Sequence, residues 1–422
     1  MEALKNIINN NRAGQQQGIY SVCCAHPLVI EAAMRQALNH DSVLLVEATA
    51  NQVNQFGGYT GMKPEDFVAF VHGIANKVGL AQERVILGGD HLGPVCWVNE
   101  PAQQAMAKAL DLVSAYARAG FKKIHLDASM PCSDDGERLA DSEIARRAAM
   151  LCQAAEQASE NGDILYVVGT EVPPPGGATE ELDVVEVSDV AGVHQTIELH
   201  QSAFGQYGVA DVWSRVIAVV VQPGVEFDNH QVVDYQRHEA TKLKEFITSV
   251  DNLVYEAHST DYQSSERYHE LVQDHFAILK VGPQLTYALR EALFSLSYIE
   301  EQMISDTSKR SNLRAVCEQV MLEKPGYWNK FYPTTGENSH LYRAYSYSDR
   351  IRYYWPEPAL QQAVATLFSN LEAQTIRETL LSQFMPNQYQ AYRNGEISLA
   401  PRELVINKIM EVTNVYSLAC NQ

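Results

Sequence analysis

Residues 84–94 read RVILGGDHLGP. A short apolar run breaks off into an acid and an imidazole flanked by glycine and proline, as a buried strand does where it hands over to a loop. Comparable runs recur on both sides: GIYSVCC (18–24), SVLLVEA (42–48) and KKIHLDA (122–128), then DILYVVG (163–169), RVIAVVV (215–221), NLVYEA (252–257) and HFAILKV (275–281). Between these eight runs lie stretches with helical spacing and Ala-rich faces, such as PLVIEAAMRQAL, PEDFVAFVHGIANKV and AMAKALDLVSAYARAG. Eight nearly continuous apolar strands alternating with helices predict a closed parallel (β/α)8 barrel, a TIM barrel, over residues 1–302. A doubly wound open sheet would carry a Gly-rich phosphate loop after its first strand, where CCAHP (23–27) stands instead. From about 303 the helical spacing continues without strands, so 303–422 is expected to form a C-terminal helical appendage packed on the barrel.

Composition narrows the function. Of 422 residues 46% are apolar and 20% charged, values of a folded globular chain. Acidic residues outnumber basic ones 52 to 32, and the resulting charge of −20 disfavours nucleic acid and anionic lipid as partners. No apolar run approaches the roughly 20 residues of a membrane span. The opening MEALKNIINNNRAG is polar, and the seven cysteines (23, 24, 96, 132, 152, 317 and 420) form no CxxC pair. A soluble protein of the reducing cytoplasm is expected.

In such a barrel the working groups sit where strands end at the C-terminal face. That list is unusually polar here: His26, then Glu47 and Asn51, Asp90 with His91, Asp127, Glu171, Gln222, His258 and Lys280. Any one of them alone reads as a loop residue; their convergence is the signal. Two imidazoles and several carboxylates in one mouth could hold zinc or another divalent ion, with His91, His258, Glu171 and Asp127 as the ligand set. Asp90 could then exchange a proton with a substrate hydroxyl, while Asn51, Gln222, Ser259 and Lys280 would face a substrate. The spacing leaves a metal-free hydrogen-bonded network equally open. Lys280 could serve as a Schiff-base amine or phosphate partner, or pair with a nearby carboxylate. QFGGYTGM (55–62), GGDHLGP (88–94) and EVPPPGG (171–177) put permissive or rigid backbone beside these groups. His72, His125, His194 and His275 read as structural, and no P-loop supports a nucleotide cofactor.

The segments SVCCAHPLVIEAA, EATANQVNQFGGYTGM, ILGGDHLGP, GTEVPPPGG, YEAHSTDYQ and HFAILKVGPQLTYALREALF, with SYSDRIRYYWP near the end, resemble the accessory, or Z, subunit family of bacterial tagatose-1,6-bisphosphate aldolases. The likeness runs nearly end to end. It implies a non-catalytic partner that gives a zinc-dependent catalytic aldolase subunit full activity and stability, in galactitol or N-acetylgalactosamine breakdown. A weaker resemblance is to the class II aldolase barrels themselves. It implies Asp90 as proton-transferring acid, and His91 and His258 as ligands. Gln222 stands where a further ligand His would align, and AHSTD lacks a phosphate-cradling glycine pair. The alternative is an enzyme in its own right, a metal-dependent sugar-phosphate 4-epimerase or aldolase. For the partner surface, the aromatic and arginine cluster Tyr342, Arg343, Tyr345, Tyr347, Arg350, Arg352, Tyr353, Tyr354 and Trp355 is the densest candidate, with Arg343 and Tyr347 expected to be exposed. Packing of the appendage on its own barrel is the competing explanation, and self-association remains compatible with it.

Overall fold

A computed structural model describes residues 2–171, 185–336 and 338–421. Its barrel strands are β1 (Ile19–Val22), β2 (Leu44–Thr49), β3 (Val85–Leu92), β4 (Lys123–Leu126), β5 (Leu165–Val168), β6 (Val216–Val221), β7 (Val254–Ala257) and β8 (Phe276–Val281). Each falls inside or on one of the eight apolar runs. All neighbours are parallel, and β8 returns to β1 with Ile19 opposite Ile278 and Val22 opposite Val281, which closes the sheet. A small antiparallel ribbon, Glu226–Phe227 with Val232–Val233, is added in the connection after β6. Apart from the half-buried Thr49 at the end of β2, every barrel strand is buried along its length, which is why the runs show little alternation of polarity.

Several helices begin on a proline, among them Pro27–Asn39, Pro64–Val78, Pro283–Met303, Pro358–Glu372 and Pro401–Cys420. The first helical residue has no intrahelical acceptor for its N–H, so proline loses nothing there and its fixed φ starts the turn. His26 caps the first of these, its Nδ1 accepting from the Leu28 N–H at 3.3 Å.

The barrel interior is layered. Ile19, Leu45, Ile86, Leu165, Val167, Ile217, Val220, Val254 and Ile278 form a continuous apolar cluster with Leu4, Ile7 and Ile8 of the N-terminal helix Glu2–Arg12. That helix plugs one end of the barrel. Each of its three apolar side chains is almost fully buried and contributes on the order of 2 kcal/mol.

After Met303 the described chain carries only helices, the longest being Pro401–Cys420. This last helix packs on Pro27–Asn39, Ser265–Gln273 and Pro283–Met303, and so joins the outer ring of the barrel. The Gly18 N–H donates to the Cys420 carbonyl at 2.8 Å, and Gln17 and Asn421 form an antiparallel bridge. None of the described helices is long and apolar enough to cross a membrane.

The aromatic cluster at 342–355 is largely internal, which corrects the expectation of exposed arginine at 343. Arg343 is 6% exposed, with its guanidinium on the Glu318 carboxylate and 5.0 Å from the Trp328 ring. Tyr347 is half-buried against Tyr262 and Tyr287. Arg350 lies over Phe331, and Tyr354 and Trp355 are buried. Of the nine residues only Tyr345 is exposed. Glu318 and Trp328 thus engage Arg343, and the Phe331 ring and the Tyr327 carbonyl engage Arg350, all within the same chain.

Candidate active site at the barrel mouth

Above the apolar layer the interior turns ionic. Strand periodicity of two points Lys123, His125 and Asp127 of the β4 segment to one side, and likewise Glu256 and His258 of the β7 segment. Lys123 is fully buried between two carboxylates, 2.7 Å from Glu47 Oε1 and 2.6 Å from Glu256 Oε2. Lys280 of β8 also reaches Glu47, and lies 3.0 Å from Asp90 Oδ1 and 3.8 Å from Glu256 Oε1. The Ser21 hydroxyl donates to Glu47 Oε2 at 2.5 Å. Removing such charges from water costs several kcal/mol per ion, so only close mutual pairing makes this layer tolerable.

A break in β3 adds the next tier. The register with β4 shifts between Gly89 and Leu92, and His91 sits at φ +47°, a left-handed conformation that costs a β-strand residue energy. Consecutive residues of a regular strand face opposite sides; this irregularity lets both Asp90 and His91 line the mouth. Two glycines make the tier fit. A Cβ on Gly88 would lie 2.4 Å from Glu47 Oε1, and one on Gly93 only 1.6 Å from the Asp127 carbonyl oxygen.

Three imidazoles then form a triangle. Ring centroids are 4.9 Å apart for His91 and His258, 5.2 Å for His91 and His125, and 5.2 Å for His125 and His258. His91 Nδ1 donates to Asp127 Oδ2 at 2.7 Å, His125 Nδ1 to Asp90 Oδ1 at 3.0 Å, and His258 Nε2 to Glu256 Oε1 at 3.0 Å. Burial alone would raise the Asp90 carboxyl, but the positive neighbours His91 and Lys280 hold it well below the usual carboxylate range. Burial lowers His91, and the carboxylates of Asp90 and Asp127 outweigh it, so this imidazole is raised. His258 is dominated by burial and falls to about 4, which keeps it neutral and able to act as a ligand. Lys280 is held well above the ordinary lysine range by Asp90 and its other anionic neighbours, despite burial. It is an ammonium, and a protonated amine is no Schiff-base nucleophile.

Four carboxylates (Glu47, Asp90, Asp127, Glu256) face two ammoniums (Lys123, Lys280) in this space. The excess of two negative charges calls for imidazolium or for a divalent cation. Asp90, His125, Glu256 and His258 each offer a donor atom within 4.8 Å of the others. The His125 Nε2 is buried and lacks a hydrogen-bond partner among the described residues. An orphaned imidazole nitrogen beside two carboxylates and a neutral histidine is a donor set that fits zinc or a similar ion.

The family model of D-tagatose-1,6-bisphosphate aldolase subunit GatZ/KbaZ-like proteins matches residues 4–421. The chain belongs to that family. It is 51% identical over 420 residues to the D-tagatose-1,6-bisphosphate aldolase subunit GatZ of Salmonella heidelberg (strain SL476), covering 99% of each chain. The subunit of the same name from Escherichia coli O1:K1 / APEC is also 51% identical over 420 residues, 99% of this chain and 100% of that one. Among solved structures, a probable tagatose 6 phosphate kinase from Sinorhizobium meliloti 1021 superposes with a TM-score of 0.89 at 46% identity, over 96% of this chain and all of that one.

Within this GatZ/KbaZ-like barrel the residues expected from sequence separate into groups. Asp90, His91, His258 and Lys280 converge, and Asn51 and Ser259 line the same mouth. Asn51 accepts from the Cys96 thiol at 3.2 Å, and Ser259 sits at φ +51°. Asp127 stands behind His91 and also accepts from Ser129, so it orients the imidazole. Glu171 is exposed and accepts from the Ser188 hydroxyl at 2.8 Å, apart from the four converging donors. Gln222 turns its side-chain oxygen back onto the N–H groups of Gly224 and Val225 at 2.9 and 3.0 Å. Residues 172–177 of EVPPPGG lie outside the described residues. Sequence reasoning set His125 aside as a strand-interior residue and did not single out Lys123 or Glu256. The alternations K-x-H-x-D at 123–127 and E-x-H at 256–258 carried the signal, because alternate residues of a barrel strand point inward. Arg352 and Tyr353 come from the C-terminal helical part and also line the mouth, a long-range placement with no local sequence signal.

Proposed function

We propose that this chain is the non-catalytic subunit of a D-tagatose-1,6-bisphosphate aldolase. In this reading it is a cytoplasmic protein that assembles with a separate zinc-dependent catalytic subunit and raises that subunit's activity and stability. The pathway would be galactitol or N-acetylgalactosamine catabolism by way of tagatose 6-phosphate. The observation that carries the reading is the end-to-end match, half the residues identical over 99% of both chains, to proteins named as subunits of that aldolase. The mouth supports it: its cavity is about 80 Å³, well short of the roughly 300 Å³ at which small-molecule sites begin. Lys280, committed to carboxylates, leaves no amine for Schiff-base cleavage.

A second reading, a metal-dependent sugar-phosphate 4-epimerase or aldolase in its own right, is favoured by one observation. A scaffold needs a surface, and nothing in supporting a partner requires Asp90 and three imidazoles to converge around an orphaned nitrogen. His125, Glu256 and His258 would hold the ion, which when bound would polarise a substrate carbonyl. Asp90, kept ionised, would accept a proton from a substrate hydroxyl, and His91 would donate a hydrogen bond to a developing oxyanion.

One experiment separates the readings. Cleavage of tagatose 1,6-bisphosphate is assayed with zinc for this chain alone, for a catalytic subunit alone and for both, beside metal analysis of the purified chain. The accessory reading expects faster turnover and higher melting temperature of the partner in the mixture, with the lone chain at background. Turnover of a ketohexose phosphate by the lone chain at ~1 s⁻¹ or more would establish the second reading. An arm with tagatose 6-phosphate and ATP tests the kinase activity named for the Sinorhizobium protein.

A further inference from the structure

Beside the mouth lies a second, partly open cavity of about 500 Å³, lined by the loops after β1 and β2, the helix Pro358–Glu372 and the start of the helix Pro401–Cys420. It shares Cys23, Gln52, Tyr59, Gly282 and Arg352 with the mouth. Unlike the mouth, it has the volume of a small-molecule site.

The chemistry of its lining is mixed in a particular way. Leu28, Met62, Phe70, Val364 and Phe368 give an apolar wall. Against it stand two guanidiniums. Arg352 donates to the Ser348 and Asp349 carbonyls and, at 2.9 Å, to the Tyr353 hydroxyl, and among the described residues it forms no ion pair. Arg402 gives a nitrogen to Glu31, but Glu31 also serves Arg35 at 2.7 Å and Lys77 at 3.7 Å. The carboxylates of Glu31 and Glu403 thus face three cations, a local positive excess in a chain of net charge −20. Trp355, 4% exposed, also lines the cavity, and its indole N–H lacks a partner among the described residues. Guanidinium N–H groups set against an apolar wall suit a ligand that brings both acceptors and an apolar body.

We propose that this chamber binds a small organic monoanion with an apolar body, a carboxylate or sulfonate on an alkyl or aryl frame. Its anionic head is held by Arg352 and Arg402, and its body lies on Met62, Phe70, Val364 and Phe368. A sugar phosphate is the wrong shape of chemistry for this wall: its hydroxyls would lose water against side chains that return no hydrogen bond. The chamber adjoins the polar mouth and shares Arg352 with it, but its apolar wall calls for a different ligand, so the proposal does not depend on which reading of that mouth holds.

The test is a fluorescence titration of the full chain with 8-anilinonaphthalene-1-sulfonate, an aryl frame bearing one sulfonate. We expect one saturable site per chain, displaced by octanoate and not by fructose 6-phosphate. Ala365→Trp, which fills the chamber from the helix Pro358–Glu372, should weaken binding at least about tenfold, and Arg402→Gln several-fold. If Ala365→Trp melts early, Ala365→Leu and Val364→Met fill the space more gently and should weaken binding in proportion to their bulk. Absence of a saturable site, equal binding by the folded filled variants, or displacement by fructose 6-phosphate as readily as by octanoate would overturn the assignment. None of these readouts requires turnover, so they stand apart from the outcome of the aldolase assay.

Discussion

At one end of the barrel Leu4, Ile7 and Ile8 enter a ring of Ile, Leu and Val side chains and contain no group that must find a partner. At the other end Glu47, Lys123, Glu256, Lys280 and Asp90 fill the same kind of space with charge. The side chains at both ends are buried, yet the two ends fail differently. An apolar plug loses stability in proportion to the volume removed, because neighbours relax only partly into the gap. An ionic layer loses it discontinuously, because deleting one member strands the charges it neutralised. The same contrast explains why the plug offers no chemistry and the mouth does: a charge held in place at a cost in stability is a charge ready to act on a ligand.

The contrast breaks most visibly at Lys123. Lys123→Met should strand Glu47 and Glu256 and cost about 4 kcal/mol in urea denaturation at pH 7, with Lys123→Met/Glu256→Gln recovering part of the loss. A cost near that of a surface change would mean that the layer is solvated and not ionically closed. Leu4→Ala comes next, at about 3 kcal/mol by the same measurement.

A buried titratable group outside both regions sharpens the comparison. His200 is buried in the helix Val190–Gln206, with its Nδ1 donating to the Thr196 carbonyl at 2.8 Å, and burial depresses it to about 4. Neutral in the fold and protonated in the unfolded chain below about 6.5, it gives stability that is complete above that value and is lost as pH falls toward 4. Stability should drop by about 2 kcal/mol from pH 7 to 5 on this account. His200→Leu should remove that share of the slope in matched denaturation series. The smallest effect is expected at Phe56, 69% exposed in the loop after β2. Phe56→Ser should shift stability by no more than about 0.5 kcal/mol, so any fall in activation of an aldolase partner would locate part of the interface there.

Much of this was legible from the residues alone. Parallel barrel strands are covered on both faces, so their sequences are continuous apolar runs that stand out from amphipathic helices, and all eight could be read. Strand-end polar residues such as Asp90, His91 and His258 were legible for the same reason. What escaped needed a finer or longer reach. His125 and Lys123 lie inside an apolar run, where only the assignment of inward and outward positions reveals them. The coming together of Asp90 and His91 depends on a local break in β3 that the glycines of GGDHLGP permit but do not announce. Arg352 and Tyr353 reach the mouth from about 70 residues beyond the last strand, and no spacing rule links them to it. Arg343 misled for the opposite reason: an arginine among tyrosines looks like surface until Glu318 and Trp328 are seen to enclose it.

The clasp between Gly18 and Cys420, with the bridge from Gln17 to Asn421 beside it, bears on how the molecule is made. A ribosome delivers β1 some four hundred residues before the helix that packs over its flank. Until residues 401–421 have emerged, the outer face of the helix Pro27–Asn39 and the entry to β1 have no cover, and the growing chain must hold that apolar surface in waiting. This part of the barrel wall is thus completed only when residues 401–421 are available, and a chain truncated before Pro401 would leave the apolar face of the helix Pro27–Asn39 exposed.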